Sequence, residues 1–288
     1  PPRTRETVLL DPSNLIDKVN AIVLAGGSAF GLDAAQGVVR YLEERNIGWR
    51  VGAAGVVPIV PAAILMDLGF GGHPKVRPTA DCGYRAAQAA SASAVGEGNV
   101  GAGATLGKVA GRARSMKGGV GSASITLPNG LAVGALVAVN AIGDVIDPAT
   151  GQVVAGVRTE DGKALADARK LLRDGSLLRA VAPRAAENTT IAVVATHARL
   201  TKTEVHRVAL MADDGVARTI YPSHTMGDGD TVFALATGRW SGDADVSIIG
   251  ALAAEALSDA IVRAASQAIS LGGVPSARDM GTIPSRFK

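Results

Sequence analysis

Glu187-Asn188-Thr189-Thr190-Ile191-Ala192-Val193-Val194-Ala195-Thr196 is the stretch on which the fold turns. A polar pair, Asn188-Thr189, runs directly into a β-branched apolar segment, the pattern of a buried strand with hydroxyl groups at its mouth. By residue type alone this is an ordinary strand entrance, with Asn188 in a turn and Thr189 on a pleated surface. It is also a place where a potential nucleophile stands beside a core.

The chain around it has 288 residues, enough to bury a substantial core. Hydrophobic residues make up 47% but aromatics only 3%, and there are 36 glycines, so the apolar content is largely Ala and Val. Such a composition favours closely approaching backbones in layered sheets and helices. The longest apolar run, Val56 to Met66, contains two prolines. It falls well short of the roughly 20 residues that span a bilayer, so no membrane partner is expected. No signal peptide is visible. Net charge is +3 without a basic run interleaved with aromatics, which gives nucleic acid no footprint. The single Cys82 leaves no internal disulfide, and His73, His197, His206 and His224 lack metal-ligand spacing. Each histidine is read as a surface or hydrogen-bonded imidazole, with no metal or cofactor and a cytoplasmic location expected. The start at Pro1-Pro2, without methionine, suggests a missing or processed N-terminus.

Outward from the decapeptide, the polar segment 176–188 upstream reads as an exposed, mobile connector, preceded by a helix from Lys163 to Leu172. Downstream, Thr201-Lys202-Thr203-Glu204 has capping-box spacing and opens a helix to about Asp213. Met226-Gly227-Asp228-Gly229-Asp230-Thr231 then projects two carboxylates from a tight turn before a strand over 232–237. Without a complete calcium-loop pattern, these carboxylates read either as a solvated turn or as a cation loop. A long helix, Ile249 to Ile269, closes the pattern.

Nearer the N-terminus, an apolar strand at 21–25 leads through Gly26-Gly27-Ser28-Ala29-Phe30-Gly31 into a helix from Leu32 to Arg45. Neither G-x-G-x-x-G nor G-x-S-x-G is completed there, leaving a packing turn or a substrate-facing loop. Residues 51–79 are proline-punctuated and read as an irregular excursion of the kind that lines pockets. A helix is expected over 82–94. The glycine-rich loop 96–107 ends at Lys108, a solvated or a catalytic lysine. Pro128-Asn129-Gly130 joins strands over 122–127 and 131–139 as a hairpin. The second strand ends at Asn140, a turn former whose amide could also donate to an oxyanion.

Several of these segments together resemble the L-aminopeptidase/D-esterase family, peptidase family S58, over nearly the whole chain. They are Leu24 to Ala35, Gly101 to Lys108, Gly119 to Ala123, Val139-Asn140-Ala141, Asn188 to Ile191 and Met226 to Thr231. That family includes β-aminopeptidases and the nylon-oligomer hydrolase acting on 6-aminohexanoate oligomers. The resemblance lacks the family's usual N-terminal strand region. It implies a four-layer αββα sandwich of the N-terminal-nucleophile type, one domain over 1–288, cut by itself into 1–188 and 189–288.

On that resemblance, the Thr189 hydroxyl attacks the Asn188 carbonyl and becomes the side chain of a new N-terminus. The freed α-amine, with an unperturbed pKa of about 7.7 to 8.0, is a suitable base for its own hydroxyl. Lys108, Asp228 and Asp230 are implied around the nucleophile, with Asn140 as oxyanion donor and Gly27, Ser28 and Phe30 on the substrate side. Phe30 stands where relatives often carry tyrosine. Most aminopeptidase members use serine, whereas threonine is the choice of the nylon-oligomer branch.

The expected activity is hydrolysis of small peptides and amides by a homotetramer of processed protomers. A nylon-oligomer endohydrolase is the nearest alternative, an ornithine acetyltransferase-like acyl transferase the next. A glycine-loop nucleotide-binding protein is the rival from a different class.

Overall fold

The computed structural model describes residues 4–71, 73–99, 103–179 and 188–287. The first third holds β1 (Thr4–Arg5), β2 (Val23–Ala25), α1 (Asp33–Glu43), β3 (Trp49–Arg50), β4 (Val56–Val57), β5 (Ala62–Ile64) and α2 (Ala80–Gln88). The middle holds β6 (Thr105–Leu106), β7 (Met116–Lys117), β8 (Val120–Thr126), β9 (Ala132–Asn140), β10 (Asp144–Ile146), β11 (Val153–Ala155) and α3 (Ala168–Arg173). After these come β12 (Thr189–Thr196), α4 (Lys202–Thr219), β13 (Ile220–Tyr221), β14 (Thr231–Ala236) and α5 (Val246–Ser266).

β12 is the spine of a four-stranded sheet ordered β14-β12-β9-β8. It runs parallel to β14 and antiparallel to β9, with Ile191 opposite Thr231 and Thr189 opposite Asn140. Successive side chains of a strand point to opposite faces, and the two faces have different covers. Ala192 and Val194 of β12, with Val133, Val137 and Val139 of β9, pack with Val208, Ala212 and Val216 of α4 and Ile249, Leu257 and Ile261 of α5. Ile191 and Ala138 instead join Phe233 against Ala63 and Leu65 beside β5.

β5 is the middle strand of a second sheet, β1-β5-β2. Its far side is covered by α1, where Ala35, Val38 and Leu42 meet Val60 and Ala62. The layers are therefore helix, sheet, sheet, helix, the αββα sandwich expected. By the same alternation Thr189 and Asn140 fall on the face between the two sheets.

Small residues make this close layering possible, and the Ala-rich composition is their signature. In α5, Ala253, Ala256, Ala260 and Ala264 are fully buried. A Cβ at Gly121 of β8 would lie 2.1 Å from the Ala260 carbonyl oxygen, so only glycine admits the helix at this height. With each fully buried Val, Leu or Ile contributing about 1.5–3 kcal/mol, the core is held by many modest burials rather than by rings.

Several expected boundaries are corrected. Residues 51–79 are not wholly irregular, because Ala62–Ile64 is a fully buried central strand. An apolar run between prolines carries no two-residue alternation when both faces are covered. The helix expected over 82–94 is Ala80–Gln88, and Ala90 and Ala94 are exposed. The helix expected from Lys163 starts at Ala168, since the Thr159 N–H bonds the Ala164 carbonyl at 2.8 Å and Asp167 caps the turn that follows. The helix after Thr201 has the anticipated capping box and continues to Thr219. Its successor begins at Val246 behind an Asp245 cap and ends at Ser266. Within the connector 176–188, residues 180–187 lie outside the described residues. No described helix is long and apolar enough to cross a membrane.

Candidate active site

The head of β12 is where the two sheets and the loop before β14 converge. Thr189 is the first residue of the strand and only 5% exposed; Asn188 before it is 4% exposed. The Thr189 hydroxyl donates to the Asn188 carbonyl oxygen at 2.5 Å. That oxygen also accepts the Gly229 N–H at 2.9 Å. Two donors thus polarise the carbonyl of the bond between Asn188 and Thr189. The Asn188 side chain donates from Nδ2 to the Gly227 carbonyl at 3.2 Å, while its buried Oδ1 has no hydrogen-bond partner among the described residues.

Asn140, opposite Thr189, is the hub on the β9 side. Its Oδ1 accepts the Lys108 Nζ at 2.9 Å and the Thr105 N–H at 3.0 Å. Its Nδ2 donates to the Met66 carbonyl at 3.0 Å, leaving one amide hydrogen for any further acceptor. Lys108 is buried, not solvated. Its Nζ also reaches the Asn140 carbonyl at 3.2 Å, and its N–H bonds the Ile142 carbonyl at 2.7 Å.

The acidic turn lies along the other edge, bridged to β12 by a parallel pairing of Asn188 with Asp228. Asp228 Oδ1 accepts the Ile142 N–H at 3.3 Å, and Oδ2 accepts the Thr225 hydroxyl at 2.7 Å. Burial, followed by the neighbouring Asp230 charge, pushes the Asp228 carboxyl above its usual range, against the pull of these donors. Asp230 Oδ1 accepts the Thr190 N–H at 2.8 Å. Its other oxygen faces His224, whose Nδ1 is 3.2 Å away. His224 is raised above its usual value, chiefly by that hydrogen bond and then by the charges of Asp213, Asp230 and Asp228, with burial opposing. The turn is therefore neither a solvated loop nor a cation cage, because its oxygens are committed to backbone and side-chain donors.

Lys108, Asn140, Asn188, Thr189, Asp228 and Asp230 form one connected cluster. The glycine turn reaches it indirectly. The Gly27 N–H donates to Asp67 Oδ1 at 2.7 Å and the Ser28 N–H to the Leu65 carbonyl at 2.8 Å, which flank the Met66 carbonyl on Asn140. Phe30 is 54% exposed, its ring 3.4 Å from the Arg77 guanidinium. Both N–H groups are engaged, one by a carboxylate, so neither is offered to a phosphate.

Sequence reasoning missed Gly229, which acts through its backbone, and the Thr105 and Met66 contacts, which arise only from tertiary pairing. It also read His224 without its carboxylates, although His224 stands six residues before Asp230 and in the same loop.

The layers and the strand-leading threonine between them define the fold of the N-terminal-nucleophile hydrolases. A solved structure with the same architecture is that of an L-aminopeptidase D-Ala-esterase/amidase from Ochrobactrum anthropi, a variant of that fold. It superposes with a TM-score of 0.57 at 20% identity, over 88% of this chain and 72% of the other.

The profile of "Peptidase family S58" matches residues 1–283, and the chain belongs to that family. It is 45% identical to an uncharacterized aminopeptidase of Mycobacterium leprae, over 99% of this chain and 82% of the relative. It is also 31% identical to a 6-aminohexanoate-oligomer endohydrolase of a Kocuria species, over 85% of this chain and 71% of the relative. The chain is a hydrolase of family S58 with the N-terminal-nucleophile hydrolase fold, and both aminopeptidases and 6-aminohexanoate-oligomer hydrolases are among its relatives.

Proposed function

We propose that this hydrolase cuts itself between Asn188 and Thr189 and then uses Thr189 as an N-terminal nucleophile on small peptides and amides. The observation that carries the reading is the Asn188 carbonyl, which accepts both the Thr189 hydroxyl at 2.5 Å and the Gly229 N–H at 2.9 Å. In the first step the Thr189 oxygen attacks the Asn188 carbonyl carbon and gives up its proton. The Gly229 N–H stabilises the resulting oxyanion. The C–N bond then breaks, its nitrogen takes the proton that the hydroxyl gave up and becomes the Thr189 α-amine, and water hydrolyses the ester to free the hydroxyl and an Asn188 carboxylate.

In turnover the α-amine takes the hydroxyl proton as the oxygen attacks the substrate carbonyl. The acyl-threonine expels the amine product and is hydrolysed. Lys108 disfavours a protonated amine, while Asp228 and Asp230 orient it. The remaining Asn140 hydrogen faces the acyl oxygen, and Gly27, Ser28 and Phe30 border the substrate. This scheme divides a single domain into 1–188 and 189–288, working in the cytoplasm as a tetramer of processed protomers.

The 45% identity to the mycobacterial aminopeptidase favours small peptides and amino-acid amides over nylon oligomers. The test is release of p-nitroaniline from amino-acid p-nitroanilides by processed protein, compared with chain shortening of 6-aminohexanoate oligomers. The proposal expects the first to dominate and both to vanish in Thr189→Ala. Faster oligomer cleavage moves the enzyme to the nylon branch, and acyl transfer to glutamate exceeding hydrolysis makes it an acyl transferase.

A further inference from the structure

His224 is a titratable group of this region that the proposed chemistry does not use. It sits in the left-handed backbone region at φ 53, which aims the imidazole between two elements. Nδ1 lies 3.2 Å from Asp230 Oδ2, and the His224 N–H reaches the same oxygen at 3.3 Å. On the opposite side, Nε2 lies 3.6 Å from Asp213 Oδ2, carried by α4. A ring with a carboxylate at each nitrogen is best satisfied when both nitrogens carry hydrogen, that is, as the imidazolium. Asp230 uses its other oxygen to hold the Thr190 N–H, one residue after the nucleophile. A line of contacts therefore runs from a half-exposed aspartate on a helix, through the ring, to the backbone that carries Thr189.

We infer that His224 is a positioning residue for the nucleophile, its imidazolium clamping Asp230 to α4 and offsetting the negative charge that the Thr189 α-amine meets after cleavage. The inference rests on Thr189 being that nucleophile. Two carboxylates beside an amine favour its ammonium form, which is no base; a cation held against them restores the free amine at neutral pH. The carboxylates that face the ring are Asp230 and Asp228 of its own loop and Asp213 of α4, with Asp214 next to Asp213.

The test is the pH profile of kcat/KM for processed His224→Gln, which can still donate a hydrogen bond but carries no charge. Removing the cation is expected to move the acid limb up by about half a pH unit or more. At neutral pH kcat should fall severalfold with KM little changed, and the two enzymes should converge at alkaline pH. An unchanged acid limb overturns the inference while leaving Thr189 in place. Activity in Thr189→Ala would overturn the nucleophile itself, so the two failures are read apart.

If His224→Gln is not cut, NMR titration of His224 in the Thr189→Ala chain decides. The clamp predicts a midpoint above the ordinary value of about 6.5 that drops in Thr189→Ala/Asp213→Asn. A midpoint at or below the ordinary value, or one indifferent to Asp213, overturns it.

Discussion

Thr189 and Asn140 stand directly opposite each other across the β9–β12 ladder, and both face the space between the two sheets. This pairing places the proposed nucleophile beside the residue that holds Lys108. It also accounts for why the site lies at a strand head: the ladder fixes Thr189 on one side, while the Asp228–Asp230 turn grips the backbone on the other.

Asn140→Ala removes the acceptor shared by Lys108 Nζ and the Thr105 N–H. Leaving buried donors short of a partner costs about 1–3 kcal/mol. Loss of one oxyanion donor lowers turnover about 10²–10³-fold. A lowered Tm together with a kcat loss of that order is the expected result, measured by thermal denaturation and steady-state kinetics. Full activity would remove Asn140 from the chemistry.

Asp230→Asn retains size but places an amide where two oxygens each accept donors, from Thr190 and from His224. One side must then meet a donor with a donor. Self-cleavage is expected to slow at least ~10-fold, the scale on which a positioned charge-assisted bond of about 1.5–3 kcal/mol is lost. The fraction of intact chain followed over time on a denaturing gel provides the measurement.

Asp144 gives a pH prediction away from the nucleophile. Its carboxylate accepts the Val157 and Ala168 N–H groups, each at 2.7 Å, tying β10 to the segment that leads into α3. Burial nevertheless raises it to about 7. A folded value above the unfolded 3.8 means that the native state holds the proton more tightly, so this stabilisation is complete below about pH 4 and is lost as pH rises through about 7. The contribution of Asp144 to Tm in the Thr189→Ala chain should therefore decline between about pH 4 and about pH 7 and level off above that. Asp144→Asn, which cannot titrate, should flatten that decline.

Gly121→Val tests the close layering. Its Cβ would lie 2.1 Å from the Ala260 carbonyl oxygen and close to Ala264 as well, so α5 must move. Overpacking of this kind costs about 1–3 kcal/mol, occasionally more. A reduced midpoint in urea is the expected outcome; an unchanged one would mean that helix and sheet are not so closely apposed.

Much of this was legible in the residues. The β-branched apolar run from Thr190 to Thr196, the Asn129-Gly130 hairpin and the Thr201–Glu204 capping box each have a local cause, and each appears in the structure. The strand Ala62–Ile64 was not legible, because a strand buried on both faces has no alternation and the flanking prolines imitate a loop. At the site, Lys108, Asn140 and the Asp228–Asp230 turn were each singled out locally with alternatives open, but only the family resemblance brought them together, since residues from three separate segments meet by tertiary pairing. Gly229 left no signal at all, because a backbone N–H is carried by almost any residue. His224 did carry one, its place in the loop of Asp228 and Asp230, but Asp213 on the facing helix was needed to give it meaning.

The central claim is that the bond between Asn188 and Thr189 breaks to make the enzyme. N-terminal sequencing of the purified protein's bands from a denaturing gel tests it most directly. The predicted result is two fragments, the smaller beginning at Thr189, with a single uncut chain for Thr189→Ala. A wild-type chain that remains whole after prolonged incubation and still hydrolyses its substrates would contradict it.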